Sequence, residues 1–138
     1  MRVFLPITAQ ELQLSTPPQR EYYAPKADAT GAADQEIAEY EATMEACLAS
    51  LELIRDRGDF TRRCVLAVDL PNQGPIQWSD VVAILIDDPH VSSLVNAACQ
   101  AQTQDAADKA VAALYNHLPL WYDISERERL IYQVGADL

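Results

Sequence analysis

Four short runs rich in β-branched or aromatic residues alternate with two apolar helical stripes, and that alternation predicts an α+β domain. The order is β-α-β-β-α-β, the ferredoxin-like order, with a four-stranded, mainly antiparallel sheet and helices on one face. The 138 residues suit a single domain over 1–138, large enough to bury its own core without a metal or disulfide.

The first run, Met1-Arg2-Val3-Phe4-Leu5-Pro6-Ile7, reads as a strand. Residues 9–33 hold Pro17, Pro18, Pro25 and Gly31 with little periodicity, so they read as an irregular loop within the domain. Glu11 to Leu14 is a candidate helical turn that the proline pair interrupts, and Tyr22 and Tyr23 are expected to anchor the loop. Residues 34–57 form the clearest helix. Ile37, Tyr40, Met44, Cys47, Leu48, Leu51 and Ile54 recur at spacings of three and four, which predicts that they are the buried stripe. Asp34 is the expected N-cap, Arg55 and Arg57 suit the last turn, and Gly58 is the expected stop.

Cys64 to Leu70 and Val81 to Ile86 read as two strands joined by the turn formers Pro71-Asn72-Gln73-Gly74-Pro75, an antiparallel hairpin. Asp88-Pro89 is an N-cap followed by proline at the first helical position. The stripe Val91, Leu94, Val95, Ala98, Cys99 then breaks, and resumes in a new phase from Ala107 to Leu118 with Asp105 as a second cap. Two helices, or one kinked near 103, satisfy that pattern. Leu120 to Ile124 reads as the last strand. Ser125-Glu126-Arg127-Glu128 has capping-box spacing before a terminal helix over 126–133, although Leu130 to Val134 also suits a strand and residues 126–138 stay open.

Both faces of the middle strands are apolar. Val65 and Ala67 oppose Leu66 and Val68, and Val82, Ile84 and Ile86 oppose Val81, Ala83 and Leu85. A sheet with one solvated face alternates apolar and polar, so something must cover the second face: the 9–33 loop, the C-terminal segment, or a twin in a homodimer.

The net charge is −11, and residues 34–59 carry eight acidic and two basic side chains, a net −6. Acidity of this size argues against nucleic acid and against anionic membrane surfaces. If a protein partner exists, a basic one is expected at the acidic helix 34–57. The start of the chain lacks the apolar core and cleavage site of a secretory signal, and Cys47, Cys64 and Cys99 are too scattered for a disulfide framework or zinc ribbon. The expected location is the cytoplasm.

Asp87-Asp88-Pro89-His90 is a compact polar cluster at a strand end. Asp87, Asp88 and His90 are therefore the candidate catalytic residues, able to supply an acid–base pair or bind a cation. The competing structural reading makes Asp88 a cap, Asp87 a solvated edge residue and His90 part of a first turn. His117 suits a helix C-terminus, and Asp69 and Asp123 are strand-end carboxylates that could approach Asp87. The four glycines are isolated, and no Gly-x-Ser-x-Gly, His-Glu-x-x-His or Cys-x-x-Cys motif occurs. No cofactor and no metal is expected.

Several patches run in order along the chain: Met1-Arg2-Val3-Phe4-Leu5-Pro6, Glu39-Tyr40-Glu41-Ala42, Arg62-Arg63-Cys64-Val65-Leu66-Ala67-Val68-Asp69, Trp78-Ser79-Asp80-Val81-Val82-Ala83 with Asp87-Asp88, and Leu120-Trp121-Tyr122-Asp123. In these the chain resembles a small actinobacterial family classed as a domain of unknown function. The resemblance implies a single-domain cytosolic protein and carries over no functional residue. The absent motifs favour a non-catalytic domain that works through protein contacts or self-association. The alternative is a small enzyme or ligand-binding domain with a pocket near Asp87, Asp88 and His90.

Overall fold

The computed structural model describes residues 1–26 and 30–136; residues 27–29 of the expected loop and 137–138 of the C-terminal segment lie outside the described residues. Strands β1 (Arg2–Thr8), β2 (Arg63–Asp69), β3 (Val81–Ile86) and β4 (Leu120–Asp123) form one sheet, and the helices are α1 (Gly31–Arg57), α2 (Ser92–Gln100), α3 (Gln104–Leu114) and α4 (Arg127–Ala136). The fold is thus mixed helix and strand with a wholly antiparallel four-stranded sheet. No described helix is long and apolar enough to cross a membrane.

The ferredoxin-like order is not confirmed, because the strands lie in the sheet in chain order, β1-β2-β3-β4. The reason lies in the proline-rich segment. It runs back antiparallel along β1, fixed by Phe4 N–H to Tyr23 O and Tyr23 N–H to Phe4 O, both 2.8 Å. Helix α1 therefore starts at the beginning of β1 and travels beside it, as Ser50 against Ile7 and Arg57 against Glu11 show. When α1 ends, the chain stands at the far end of β1, and β2 must return antiparallel with Arg63 opposite Thr8.

Helices cover both faces of the sheet, which corrects the expectation of a single helical face. Phe4, Val65, Ala67 and Leu85 pack under α1 through Ala42, Ala46 and Cys47. On the other face Leu5, Leu66, Ile84 and Ile86 are covered by Leu12, Ile76, Leu130 and Val134. The loop and the C-terminal segment together close the second face, so the sheet needs no twin there. Arg127 holds this cover in place: it donates to Leu12 O and Leu14 O, both at 2.7 Å, and stacks 3.9 Å over Trp78.

A register shift at Ala67/Val68 lets Val81 and Ile84 share one face although their spacing is three. It is a β-bulge at Val82. Helix α1 starts earlier than Asp34, with Thr30 as N-cap, and stops at Gly58 in the left-handed region (φ 68°) as the sequence indicates. The break near 103 separates two helices. Thr103, rather than Asp105, caps the second by accepting from Ala106 N–H at 3.1 Å. The C-terminal segment is helix, entered through a short 3-10 turn whose N-cap is Asp123, not Ser125.

Cys47, Leu51 and Ile54 of the expected α1 stripe are buried, but the rest of the buried face is rotated from its expected position. Ala38, Ala42, Ala46 and Ser50 face the sheet, while Ile37, Tyr40 and Leu48 are exposed. Small side chains at every fourth position let the helix axis approach the strands closely. Ser50 completes the seam: its hydroxyl donates to Ile7 O (2.7 Å) and accepts from Cys64 N–H (3.0 Å), two residues that face each other across β1 and β2.

Candidate functional site

Asp87 is fully buried at the end of β3. Its carboxylate takes both Nε and NH2 of Arg63 (2.8 and 2.9 Å) and the Arg63 backbone N–H (2.9 Å). Its own N–H donates to Arg63 O, and its carbonyl accepts from Arg62 Nε. Asp87 is therefore no solvated edge residue. It neutralises a buried guanidinium, because an unpaired ion in this setting is very costly. Burial alone lowers the Arg63 value, but the Asp87 hydrogen bonds and charge outweigh it and raise it. Arg63 also donates to His117 O (2.7 Å), which ties β2 to the segment after α3.

Asp88 lies next to this pair and caps the turn at Pro89–Val91, accepting from His90 N–H (3.1 Å) and contacting His90 Nδ1 (2.6 Å). The His90 hydrogen bonds hold its carboxyl below the usual carboxylate range. His90 and His117 meet edge to face at 5.7 Å. Of the three candidates, Asp88 and His90 are thus brought together, whereas both Asp87 oxygens point inward to Arg63. Asp69 pairs with Arg2 at the opposite end of β2, and Asp123 lies opposite Ala83, so neither approaches Asp87. Among the described residues no group of three or more His, Cys, Asp or Glu gathers where a cation could sit.

The cysteines are free and core-like. Burial pushes the Cys47 thiol up to about 12 and raises Cys64 further, and Cys99 is raised for the same reason. Thiols held protonated in this way are poor nucleophiles.

A second polar knot fixes the loop. Glu11 accepts from Arg20 (2.8 and 2.6 Å), from Arg57 (3.1 Å) and from Thr8 N–H (2.8 Å). Burial raises its carboxyl value, but these hydrogen bonds and the Arg20 charge outweigh it and hold it lowered. The knot joins β1, the 3-10 turn at Ala9–Gln13, the loop and the end of α1.

The surface with the least structural explanation lies elsewhere. Ile37, Tyr40, Leu48, Tyr115, Leu118 and Trp121 are 41–57% exposed, and most of them line two grooves on the outward side of α1. One, of about 200 Å³, lies between the first half of α1 and β4 and holds Tyr40, Leu85, Leu118 and Trp121 beside Glu36 and Glu39. The other, of about 420 Å³, lies between α1 and α3 and holds Leu48, Val111 and Tyr115 beside Glu52, Arg55 and Asp108. Residues 31–50 carry five carboxylates and no Lys or Arg.

This surface was hidden at the level of sequence, because Ile37, Tyr40, Leu48 and Leu118 sit on stripes that read as core. The Ala38-Ala42-Ala46-Ser50 row, a competing stripe of small residues at strict i+4 spacing, is the signal that finds it.

No curated protein and no solved structure matches the chain. One family model does, over residues 1–131. With that span covering all four strands and the first half of α4, the chain belongs to the family of unknown function DUF6912.

Proposed function

We propose that this domain acts in the cytoplasm as a non-catalytic module that docks another protein on the outward side of α1. One observation carries the reading: six large apolar side chains stay outside on one face, although the same helix has a complete small-residue seam against the sheet. Clustered exposed apolar residues with a polar rim mark interaction sites more often than chance exposure does, and Trp and Tyr are the side chains most enriched at interface anchors. Of the five carboxylates in this half of α1, Glu41 pairs with Lys26 (3.5 Å), and the acidic excess that remains selects a partner with basic groups through steering and complementarity.

A ligand site at Asp88 and His90 is the competing reading. It would need the Asp87 carboxylate, and both of its oxygens are already held by Arg63.

Photo-cross-linking in cells that make the protein tests the reading. A photoreactive amino acid at position 40 or 121 should give one discrete protein adduct. The same group at Tyr132, even more exposed but on α4 at the other face, should give none. Equal labelling from all three positions, or no adduct from 40 and 121, overturns it.

A further inference from the structure

The two edges of the sheet are finished differently. The outer edge of β1 is closed by the Tyr23 bridge, with two 2.8 Å backbone hydrogen bonds. On β4, no described backbone or side-chain group bonds the outward amides and carbonyls. Soluble proteins blunt open edges with charges, prolines or bulges. Here Pro119 precedes the strand and Asp123 ends it, but Leu120 and Trp121 between them are exposed. Trp121 stands opposite Leu85 and shares its face, so the open edge borders directly on the smaller groove.

We propose that β4 accepts an extended segment of a partner protein as a fifth strand. The segment places one bulky apolar side chain between Tyr40 and Trp121, and Lys or Arg beside Glu36 and Glu39. The inference rests on the reading of this face as a docking surface and adds the form and charge of what docks. Strand addition takes affinity from the backbone and specificity from alternate side chains. In an added strand every second side chain falls on the groove side, which lets one residue enter the groove while its next neighbours on that side reach the carboxylates. The four residues of β4 span about 13 Å, so the added segment is short. Charge selects against a second copy as the occupant: it would bring Glu36, Glu39 and a net −11 against themselves.

The test uses the full chain and a displayed library of random twelve-residue peptides, followed by synthetic copies of the enriched sequences. Enriched peptides should pair a bulky apolar residue with Lys or Arg. Methylating the alternate backbone nitrogens of one phase should weaken binding at least tenfold, and the other phase should change it little. Trp121→Ala should weaken binding about thirtyfold. The Glu36→Gln/Glu39→Gln pair should weaken it about tenfold and flatten its salt dependence, and Trp121→Phe should recover most of the loss. Peptides that tolerate methylation in both phases, acidic or neutral consensus sequences, or no enrichment overturn the strand-addition inference. So does a concentration-dependent doubling of mass with the β4 amides protected in the absence of peptide. Adducts from positions 40 and 121 alongside any of these results leave the docking surface standing. Missing adducts remove the docking surface itself.

Discussion

Replacing Ser50 with alanine perturbs the seam between α1 and the sheet at one point. The Ser50 side chain is fully buried, donates to Ile7 O and accepts from Cys64 N–H. Alanine keeps the small volume the seam requires but removes both hydrogen bonds. A buried donor or acceptor left without its partner costs about 1–3 kcal/mol, and alanine returns about 0.5 kcal/mol through better helix propensity. The expected loss is therefore about 1.5 kcal/mol. Urea unfolding followed by far-ultraviolet circular dichroism should show a lower midpoint at unchanged slope, and thermal unfolding should show a fall of about 5 °C. The exposed Ser93→Ala on α2 serves as control and should be silent. A Ser50→Ala protein as stable as the parent would refute the claim that this hydroxyl stitches the helix to the strands.

Ala46→Leu, at a fully buried seam position, should cost about 1–3 kcal/mol through overpacking, read from the same unfolding curves. Asp87→Ala strands the buried Arg63 guanidinium and should cost about 3–5 kcal/mol. The adjacent Asp88→Ala, which removes only an exposed cap, should lower the thermal midpoint by far less. Glu11 gives an acid-sensitive term with a definite sign. Its folded value is lowered, so its stabilisation is fully present above the unfolded value of about 4.3 and fades as pH falls through the lower folded value. Glu11→Gln should flatten that part of the stability–pH curve while lowering stability at pH 7. Native Cys47 and Cys64 should resist thiol reagents at neutral pH and react only after unfolding, checked by mass spectrometry.

Local signals were legible where they are strictly local. The hairpin of β2 and β3, the Gly58 stop, the Asp88-Pro89 cap and the break between α2 and α3 follow from residue types acting on their own backbone. The two-sided apolar strands correctly indicated that both faces are covered. Strand order was not legible, because it depends on the path of residues 14–26 back along β1. A Pro-rich stretch with one backbone bridge has no periodic signature, yet that path decides which end of β1 receives β2. The orientation of α1 was not legible for a different reason. Hydrophobicity ranks Ile37 and Tyr40 above Ala38 and Ala42, whereas packing against a flat sheet rewards the residues that allow close approach. At the candidate site, adjacency in sequence grouped Asp87 with Asp88 and His90. Strand pleating separates them, sending the Asp87 side chain inward to Arg63 and leaving Asp88 and His90 on the surface.

The orientation of α1 underlies both the docking surface and the strand-addition inference, and solvent paramagnetic relaxation of assigned side-chain signals in the free protein measures it directly. A soluble paramagnet should broaden the ring and methyl signals of Ile37, Tyr40, Leu48 and Trp121 and leave the methyls of Ala42 and Ala46 sharp. Broad Ala42 and Ala46 methyls beside sharp Tyr40 and Leu48 signals would mean that the helix turns its large residues inward, and would contradict the account.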